Sequence, residues 1–163
     1  MIVPFYMRLS ISAEILDKIL HTMLIMLPAL ILFTTSIALV LLKLILPTFR
    51  YYWLIAITGA LFSVVSVALW QLMLPQTISL PGWQPSIIFI YNPTWFADGF
   101  SWLYALSLTT LALATISTAI VRKSSSPMNW AGILFIVSIG ILAVTADNPF
   151  TLVLTWVALD FAE

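Results

Sequence analysis

The sequence predicts an all-α protein, a polytopic bundle of membrane-spanning helices. Of its 163 residues, 63% are hydrophobic and only 7% are charged, which leaves too few charges to cover the surface of a soluble domain. Four apolar segments are long enough, or nearly so, to cross a hydrocarbon core of about 30 Å at about 1.5 Å per residue. We therefore expect an integral membrane protein with four full spans and a truncated fifth.

The composition also excludes several classes of function. The formal net charge is zero, so no basic surface is available to neutralise nucleic-acid phosphates. The chain has no cysteine and a single histidine, His21, which excludes disulfides, thiolate nucleophiles and Cys- or His-based metal sites. We predict no catalytic residue, cofactor or metal site in this chain.

The predicted elements divide the chain into two parts. Residues 1–21 carry Arg8, Glu14, Asp17, Lys18 and His21 and read as an amphipathic lead-in, and residues 22–163 form the membrane domain. Prolines stand in the breaks between apolar segments, where a missing backbone N–H does least harm. The predicted spans are 22–46, 52–74, 96–121 and 130–146, with a partial fifth at 150–163.

The stretch between the second and third spans, "PQTISLPGWQPSIIFIYNPTW", predicts a different kind of structure. It has Pro and Gly at its turns, a β-prone core "SIIFIY", and aromatic residues suited to the membrane interface. We expect a small extended or hairpin element at about 78–92, lying at the membrane surface.

The distribution of basic residues predicts the orientation. One side holds Lys43, Arg50, Arg122 and Lys123, whereas the other holds only Arg8 and Lys18. The positive-inside rule therefore places the 47–51 turn and "KSSSP" in the cytoplasm, with the N-terminus and the 75–95 loop outward. The expected location is a bacterial plasma membrane.

Two acidic residues stand near predicted helix ends. Asp98, in "WFADGFSW", opens the third span, where it can cap the helix or take part in an ion entry path or a subunit contact. Asp147, in "TADNPF", is interpreted as a turn residue. Gly59, Ser63, Gly132, Ser138 and Gly140 are expected on closely packed helix faces.

Asp160 and Glu163 are the candidate site residues with the clearest functional meaning. Asp160 lies eleven residues past Pro149, about 16 Å into the membrane, and Glu163 lies three residues further on the same helical face. Each carboxylate costs about 3 kcal/mol at the centre of a bilayer, so a proton or ion relay is the leading hypothesis. The alternative is a cytoplasmic helix end at which both acids reach water.

Several stretches resemble one family of transport proteins. "MLIMLPALILFTTSIALVLL" is similar to the Pro-bearing first helix of the antiporter-like membrane subunits of respiratory complex I and of multisubunit sodium/proton antiporters. "FADGFSWLYALSLTTLALATISTAIV" resembles that family's third helix with its Asp-Gly opening. "GILFIVSIGILAVTADNPFTLVLTWVALDFAE" resembles its fourth helix, the Asp/Asn turn and the start of its fifth helix.

One departure from the family pattern bears on mechanism. The family usually carries a glutamate directly after the aromatic residue that corresponds to Trp156, whereas this chain has Val157 there. Asp160 follows one helical turn later and could replace that carboxylate only from a slightly different angle. The family's channel-forming helices come after the fifth, so the resemblance implies the N-terminal part of such a subunit, from a truncated or split gene product or a fragment.

Two functions follow from these observations. The first is a transport subunit that contributes to a proton or cation path in a larger membrane complex, with protons or Na⁺, other membrane subunits and the bilayer as partners. The resemblance leaves open a place as a non-catalytic subunit of an NADH:quinone oxidoreductase-type complex. The second is a structural or assembly subunit whose acids pair with a neighbour's Lys or Arg.

Overall fold

The computed structural model of the protein describes residues 3–79, 92–122 and 126–162, with side chains from Leu24 onward. Four of its helices contain segments that are long and apolar enough to cross a membrane, and a small two-stranded hairpin is also present. These features confirm the predicted fold class. The elements in chain order are α1 (Val3–Ile45), α2 (Tyr52–Trp70), β1 (Gln76–Ser79), β2 (Thr94–Ala97), α3 (Gly99–Val121), α4 (Pro127–Val144) and α5 (Pro149–Asp160).

The helix boundaries differ from the predicted ones in several places. Helix α3 begins at Gly99 rather than at residue 96, because residues 94–97 form strand β2. The backbone of α1 is helical from Val3 without a break, so its 43 residues extend about 64 Å and exceed the thickness of the hydrocarbon core. Helix α2 ends at Trp70 rather than at residue 74, and a turn follows it. Helix α4 begins at Pro127 rather than Trp130, because proline is well suited to the first position of a helix.

The described strands flank the predicted hairpin element, and β1 overlaps its first two residues. Strand β1 pairs with β2 in antiparallel register, with Gln76 opposite Ala97 and Ser79 opposite Thr94. The predicted core "SIIFIY" lies outside the described residues. Ile78, Trp95 and Ala97 are buried, so one face of the hairpin covers the end of the bundle at which α2 ends and α3 begins.

Helix α1 holds the bundle together by packing against both α2 and α4, while α3 packs against α2 and α4 and completes the arrangement. Pro28 lies within α1 and has no N–H to donate to the carbonyl of Leu24, four residues earlier. The indole Nε1 of Trp70 donates to that carbonyl at 3.0 Å. The break that proline leaves in α1 is therefore closed by a side chain of α2.

Buried serines supply further bonds between the helices. Ser63 donates to the carbonyl oxygen of Pro28 at 3.3 Å, and Ser138 donates to that of Ala29 at 2.8 Å. In the opposite direction, Ser36 of α1 donates to the carbonyl oxygen of Ala131 in α4 at 2.8 Å. Hydroxyl groups that bond across helices let small residues hold a membrane bundle together, which agrees with the packing faces predicted at Ser63 and Ser138.

Gly59 is the glycine at which packing is tightest. A Cβ atom at this position would overlap the side chain of Thr35 on α1, whereas a Cβ at Gly132 would meet nothing within 4 Å. We expect Gly59→Ala to lower the free energy of unfolding by about 1–3 kcal/mol because the α1–α2 contact is overpacked. Thermal unfolding in detergent measures the change, with Gly132→Ala as the matched control, and an equal effect of both variants would contradict the close contact.

Candidate functional site

The start of α5 is fixed by Asn148 and Pro149. The Asn148 side chain accepts hydrogen bonds from the backbone N–H of Thr151 at 2.7 Å and from its hydroxyl at 2.8 Å. Pro149 occupies the first helical position, where its missing N–H costs nothing. The sequence-based prediction of a turn named Asp147 and not Asn148, although an N-cap residue followed by proline is a sequence signal for this role.

The same asparagine attaches α5 to the hairpin. Its Nδ2 donates to the carbonyl oxygen of Asn92 and to Oγ1 of Thr94, both at 2.7 Å, and the N–H of Thr94 donates to Oγ1 of Thr151 at 2.9 Å. The N–H of Asp147 donates to the carbonyl oxygen of Thr94 at 3.0 Å. The direction in which α5 enters the membrane is thus set by bonds to β2.

One face of α5 is turned towards the rest of the bundle. Thr151 and Thr155 are buried, and the hydroxyl of Thr155 donates to the α5 carbonyls of Thr151 and Leu152 at 3.1 and 2.8 Å. Ala158 lines an apolar groove of about 340 Å³ between α1, α4 and α5. This inner face carries no titratable side chain among the described residues of α5.

Asp160 lies on the opposite face of α5. Nine residues separate it from Thr151, which is about 180° around a helix of 3.6 residues per turn. Its neighbours on this face are exposed and apolar, with Val153 57%, Trp156 64% and Val157 47% accessible. We call this set, Val153, Trp156, Val157 and Asp160, the outer face of α5.

The outer face also contains the position at which the resemblance placed a glutamate. Val157 and Asp160 are three residues apart, and residues at this spacing are neighbours on one side of a helix. Asp160 is exposed and forms no hydrogen bond or ion pair with the described part of the chain. Glu163, the second predicted relay residue, lies outside the described residues.

Asp98 is a helix cap in the structure. Its carboxylate accepts from the backbone N–H of Ser101 at 2.8 Å, and the N–H of Asp98 donates to Oγ of Ser101 at 2.7 Å, which completes a capping box. The hydrogen bond from the Ser101 N–H, followed by the one from its hydroxyl, lowers the pKa of Asp98 below its ordinary value of 3.8. Asp98 and Asp160 belong to different helices, and no described contact brings them together.

The Asp98 cap predicts a pH-dependent contribution to stability. Because its pKa is lower in the folded state, the contribution is present above about pH 3.8 and is lost as the pH falls through the folded-state pKa. We expect Asp98→Ala to cost about 1 kcal/mol of unfolding free energy at neutral pH. Asp98→Asn should keep the cap but lose the acid dependence. Unfolding curves at pH 7 and pH 3 therefore compare this variant with the unmodified protein, and only the unmodified protein should lose the contribution of the cap at low pH.

Together, the four apolar helices define an integral membrane protein of the polytopic α-helical class. Its fold is similar to that of a chain in the structure of the membrane-bound sulfane sulfur reductase (MBS), an archaeal respiratory membrane complex. The TM-score is 0.59 at 15% sequence identity, and the match covers 87% of this chain and 22% of that chain. The similarity therefore establishes a shared fold over about a fifth of the other protein's length.

Comparison of the amino-acid sequence with known proteins identified no relative. No protein-family model matches the chain, and no curated protein matches it. Within residues 24–79, 92–122 and 126–162, no group of three or more His, Cys, Asp or Glu side chains could hold a metal ion.

Proposed function

We propose that this chain is an antiporter-like membrane subunit that contributes to proton or cation translocation within a larger membrane complex. The observation that carries the proposal is the position of Asp160 on the outer face of α5. A carboxylate about 16 Å along a helix that begins at one end of the bundle is near the middle of the hydrocarbon core. Acidic residues at such a depth are characteristic of ion and proton paths.

In this proposal, neighbouring subunits of the complex cover the outer face of α5. An ionised carboxylate facing lipid costs about 3 kcal/mol, and no described side chain of this protein faces Asp160. A larger complex would cover the outer face and place Asp160 inside the assembly. Inside the assembly, the carboxyl group of Asp160 would be available to the ions that cross the complex.

The fold similarity supports membrane subunits as partners. The similar chain belongs to a respiratory membrane complex, and the resemblance of the Pro-bearing first helix and the Asp-Gly opening points to antiporter-like subunits. In this proposal the coupling ion is a proton or Na⁺, and Glu163, three residues further along the sequence, assists Asp160. The basic end of the bundle, with Lys43, Arg50 and Arg122, faces the cytoplasm of a bacterial cell.

The second candidate is a structural or assembly subunit, in which Asp160 pairs with a Lys or Arg of a neighbouring helix. A lone acid among exposed apolar residues favours this alternative, because ionisable groups within a membrane commonly pair with an opposite charge. The two candidates differ in one respect: a relay residue exchanges a proton during transport, whereas a pairing residue only holds a partner in place.

Ion flux and assembly can be measured on the same membranes. Inverted vesicles from cells that express the intact complex are given an imposed pH or Na⁺ gradient, and a pH-sensitive dye follows ion movement. The amount of this chain retained in the complex is determined in parallel. Loss of flux with full retention on Asp160→Asn supports the relay, and loss of retention with normal flux per complex supports the assembly role.

A further inference from the structure

The turn between α1 and α2 carries two basic side chains. Lys43 lies in the last turn of α1, and Arg50 lies two residues before the start of α2. The sequence contains no Asp or Glu between Asp17 and Asp98. Within the described residues, neither Lys43 nor Arg50 forms an ion pair, so no described side chain neutralises the charge of this turn.

The described acidic residues lie at other levels of the bundle. Asp98 and Asp147 lie beside β2, at the end of the bundle that the hairpin covers. Helix α2 connects the α1–α2 turn to that end through 19 residues, which extend about 28 Å. Asp160 is about 16 Å along α5 from the same end and lies well short of the level of the turn. In the part of the chain that the structure describes, the α1–α2 turn therefore presents positive charge alone.

Aromatic contacts fix the shape of this turn. The ring of Phe49 meets the rings of Tyr51 and Tyr52 edge-on, with centroid distances of 5.8 and 5.3 Å, which is a favourable arrangement for aromatic pairs. The carbonyl oxygen of Leu46 accepts hydrogen bonds from the N–H of Phe49 at 3.0 Å and from the hydroxyl of Tyr52. Tyr52 is buried, whereas Tyr51 is exposed, so one ring anchors the turn and the other faces its surroundings.

Both basic residues adjoin Tyr52. The Nζ atom of Lys43 lies 5.8 Å from the centroid of the Tyr52 ring, a distance within the range of a cation–π contact. Arg50 precedes Tyr52 by two residues, so their Cα atoms are at most about 7 Å apart. The turn thus brings Lys43 and Arg50 next to one fixed residue, and both cations remain exposed.

Apolar side chains place Lys43 at the edge of the hydrocarbon core. Leu44 and Ile45 follow it at the end of an apolar span, and both are largely exposed, so lipid chains reach at least to their level. A charged group is costly in hydrocarbon, and a long lysine side chain near a helix end extends towards the headgroups. The negative group that the bilayer offers at this level is the phosphate of a phospholipid.

We propose that the α1–α2 turn binds the headgroup of an anionic phospholipid, with Lys43 and Arg50 contacting its phosphate and Leu44 and Ile45 contacting an acyl chain. An arginine can form two parallel hydrogen bonds to a phosphate, and basic clusters next to a membrane span attract anionic lipids. Neither ion transport nor a particular direction of insertion is required, because the site depends only on the turn and on the level of the membrane surface.

The unneutralised charge of the turn favours an anionic lipid over a zwitterionic one. The headgroup of phosphatidylcholine brings its own ammonium group, which would approach Lys43 and Arg50 with like charge. Phosphatidylglycerol carries a net negative charge and has no such group. Each cation near an anionic lipid contributes about 1 kcal/mol, which corresponds to about fivefold in affinity.

Mass measurement of retained lipid tests the proposal. The full-length chain is purified in mild detergent and mixed with equal amounts of phosphatidylglycerol and phosphatidylcholine that have the same acyl chains. The lipid retained on the intact particle is then identified and counted. We expect phosphatidylglycerol to be retained preferentially, and Lys43→Gln and Arg50→Gln should each weaken its binding about fivefold without changing that of phosphatidylcholine.

Two further variants separate a lipid site from general surface charge. Lys43→Arg keeps the charge and should keep the preference, whereas Arg122→Gln removes an equal charge at the end of α3 and should have little effect. Thermal unfolding without added lipid checks that each variant is folded, and Arg50→Gln, which lies outside both helices, decides the question if Lys43→Gln does not fold.

Three results would overturn the proposal. They are equal retention of the two lipids, unchanged phosphatidylglycerol binding in the folded Lys43→Gln or Arg50→Gln variants, and an equal loss of binding in Arg122→Gln. Displacement of the lipid by a large excess of inorganic phosphate would also contradict it, because the turn would then be a site for a soluble anion.

Discussion

Asp160→Asn is expected to reduce proton or cation flux through the assembled complex to the level of vesicles that lack it. The amide retains the size and hydrogen-bonding capacity of the carboxyl group but has no exchangeable acidic proton. If Asp160 is the relay group on the outer face of α5, ion movement stops while the helix continues to pack through Thr151 and Thr155. Asp160→Glu, which keeps the acid, should retain part of the flux.

Two further substitutions serve as controls for this result. Val153→Ala alters the outer face without touching a charge and should leave the flux near that of the unmodified protein. Glu163→Gln should have a smaller effect than Asp160→Asn, because the sequence predicts that Glu163 is nearer the cytoplasm and closer to water. Normal flux per complex with a reduced amount of complex in Asp160→Asn membranes would show that the acid serves assembly rather than transport.

Trp70→Phe is expected to produce the largest loss of stability among conservative substitutions in the bundle. Trp70 is 2% exposed, and its Nε1 is the donor that satisfies the Leu24 carbonyl freed by Pro28. Phenylalanine keeps an aromatic ring but leaves that carbonyl unpaired in an apolar interior. An unpaired buried polar group costs about 1–3 kcal/mol, and the smaller ring adds the cost of a cavity.

Trp53 provides the matched control for this substitution. It lies on the same helix but is 38% exposed, so Trp53→Phe should change the free energy of unfolding little. Thermal unfolding in detergent or in lipid discs measures both variants. If a second substitution, Pro28→Ala, restores an N–H for the Leu24 carbonyl, it should recover part of the stability lost in Trp70→Phe. Equal stability of Trp70→Phe and the unmodified protein would contradict the role given to the indole.

The helices could be predicted from the sequence because each depends on its own composition. An apolar run of sufficient length, ended by Pro47, Pro75, Pro127 or Pro149, specifies a span regardless of what packs against it. The boundaries were less predictable, because turn and cap geometry determines them. Asn148 and Pro149 mark the start of α5 clearly, whereas nothing local in α2 indicates an end at Trp70.

The hairpin and the partners of the buried serines could not be predicted in the same way. Strand β2 is held by the carbonyl of Thr145 and the N–H of Asp147, which lie about fifty residues away in the chain. The sequence pattern therefore indicated the region of the hairpin, whereas the pairing of Gln76–Ser79 with Thr94–Ala97 depends on contacts with the α4–α5 turn. Similarly, Ser138 was recognised as a packing residue, but its acceptor, the Ala29 carbonyl, depends on how α1 and α4 meet.

The depth of Asp160 along α5 could be predicted from the sequence, but the direction of its side chain could not. Its depth along α5 follows from counting residues after Pro149. Its direction does not, because it depends on which face of α5 packs on the bundle. Thr151 and Thr155 occupy that face, and this places Asp160 on the outer side with Val157.

Native mass measurement tests whether this chain belongs to a larger membrane complex. The tagged full-length chain is extracted from its own cells' membranes under mild conditions, and the mass of the intact particle is determined before and after dissociation. The expected particle contains further multi-span subunits in fixed stoichiometry with this chain. A particle that contains this chain alone, as a monomer or as a dimer, would contradict this expectation.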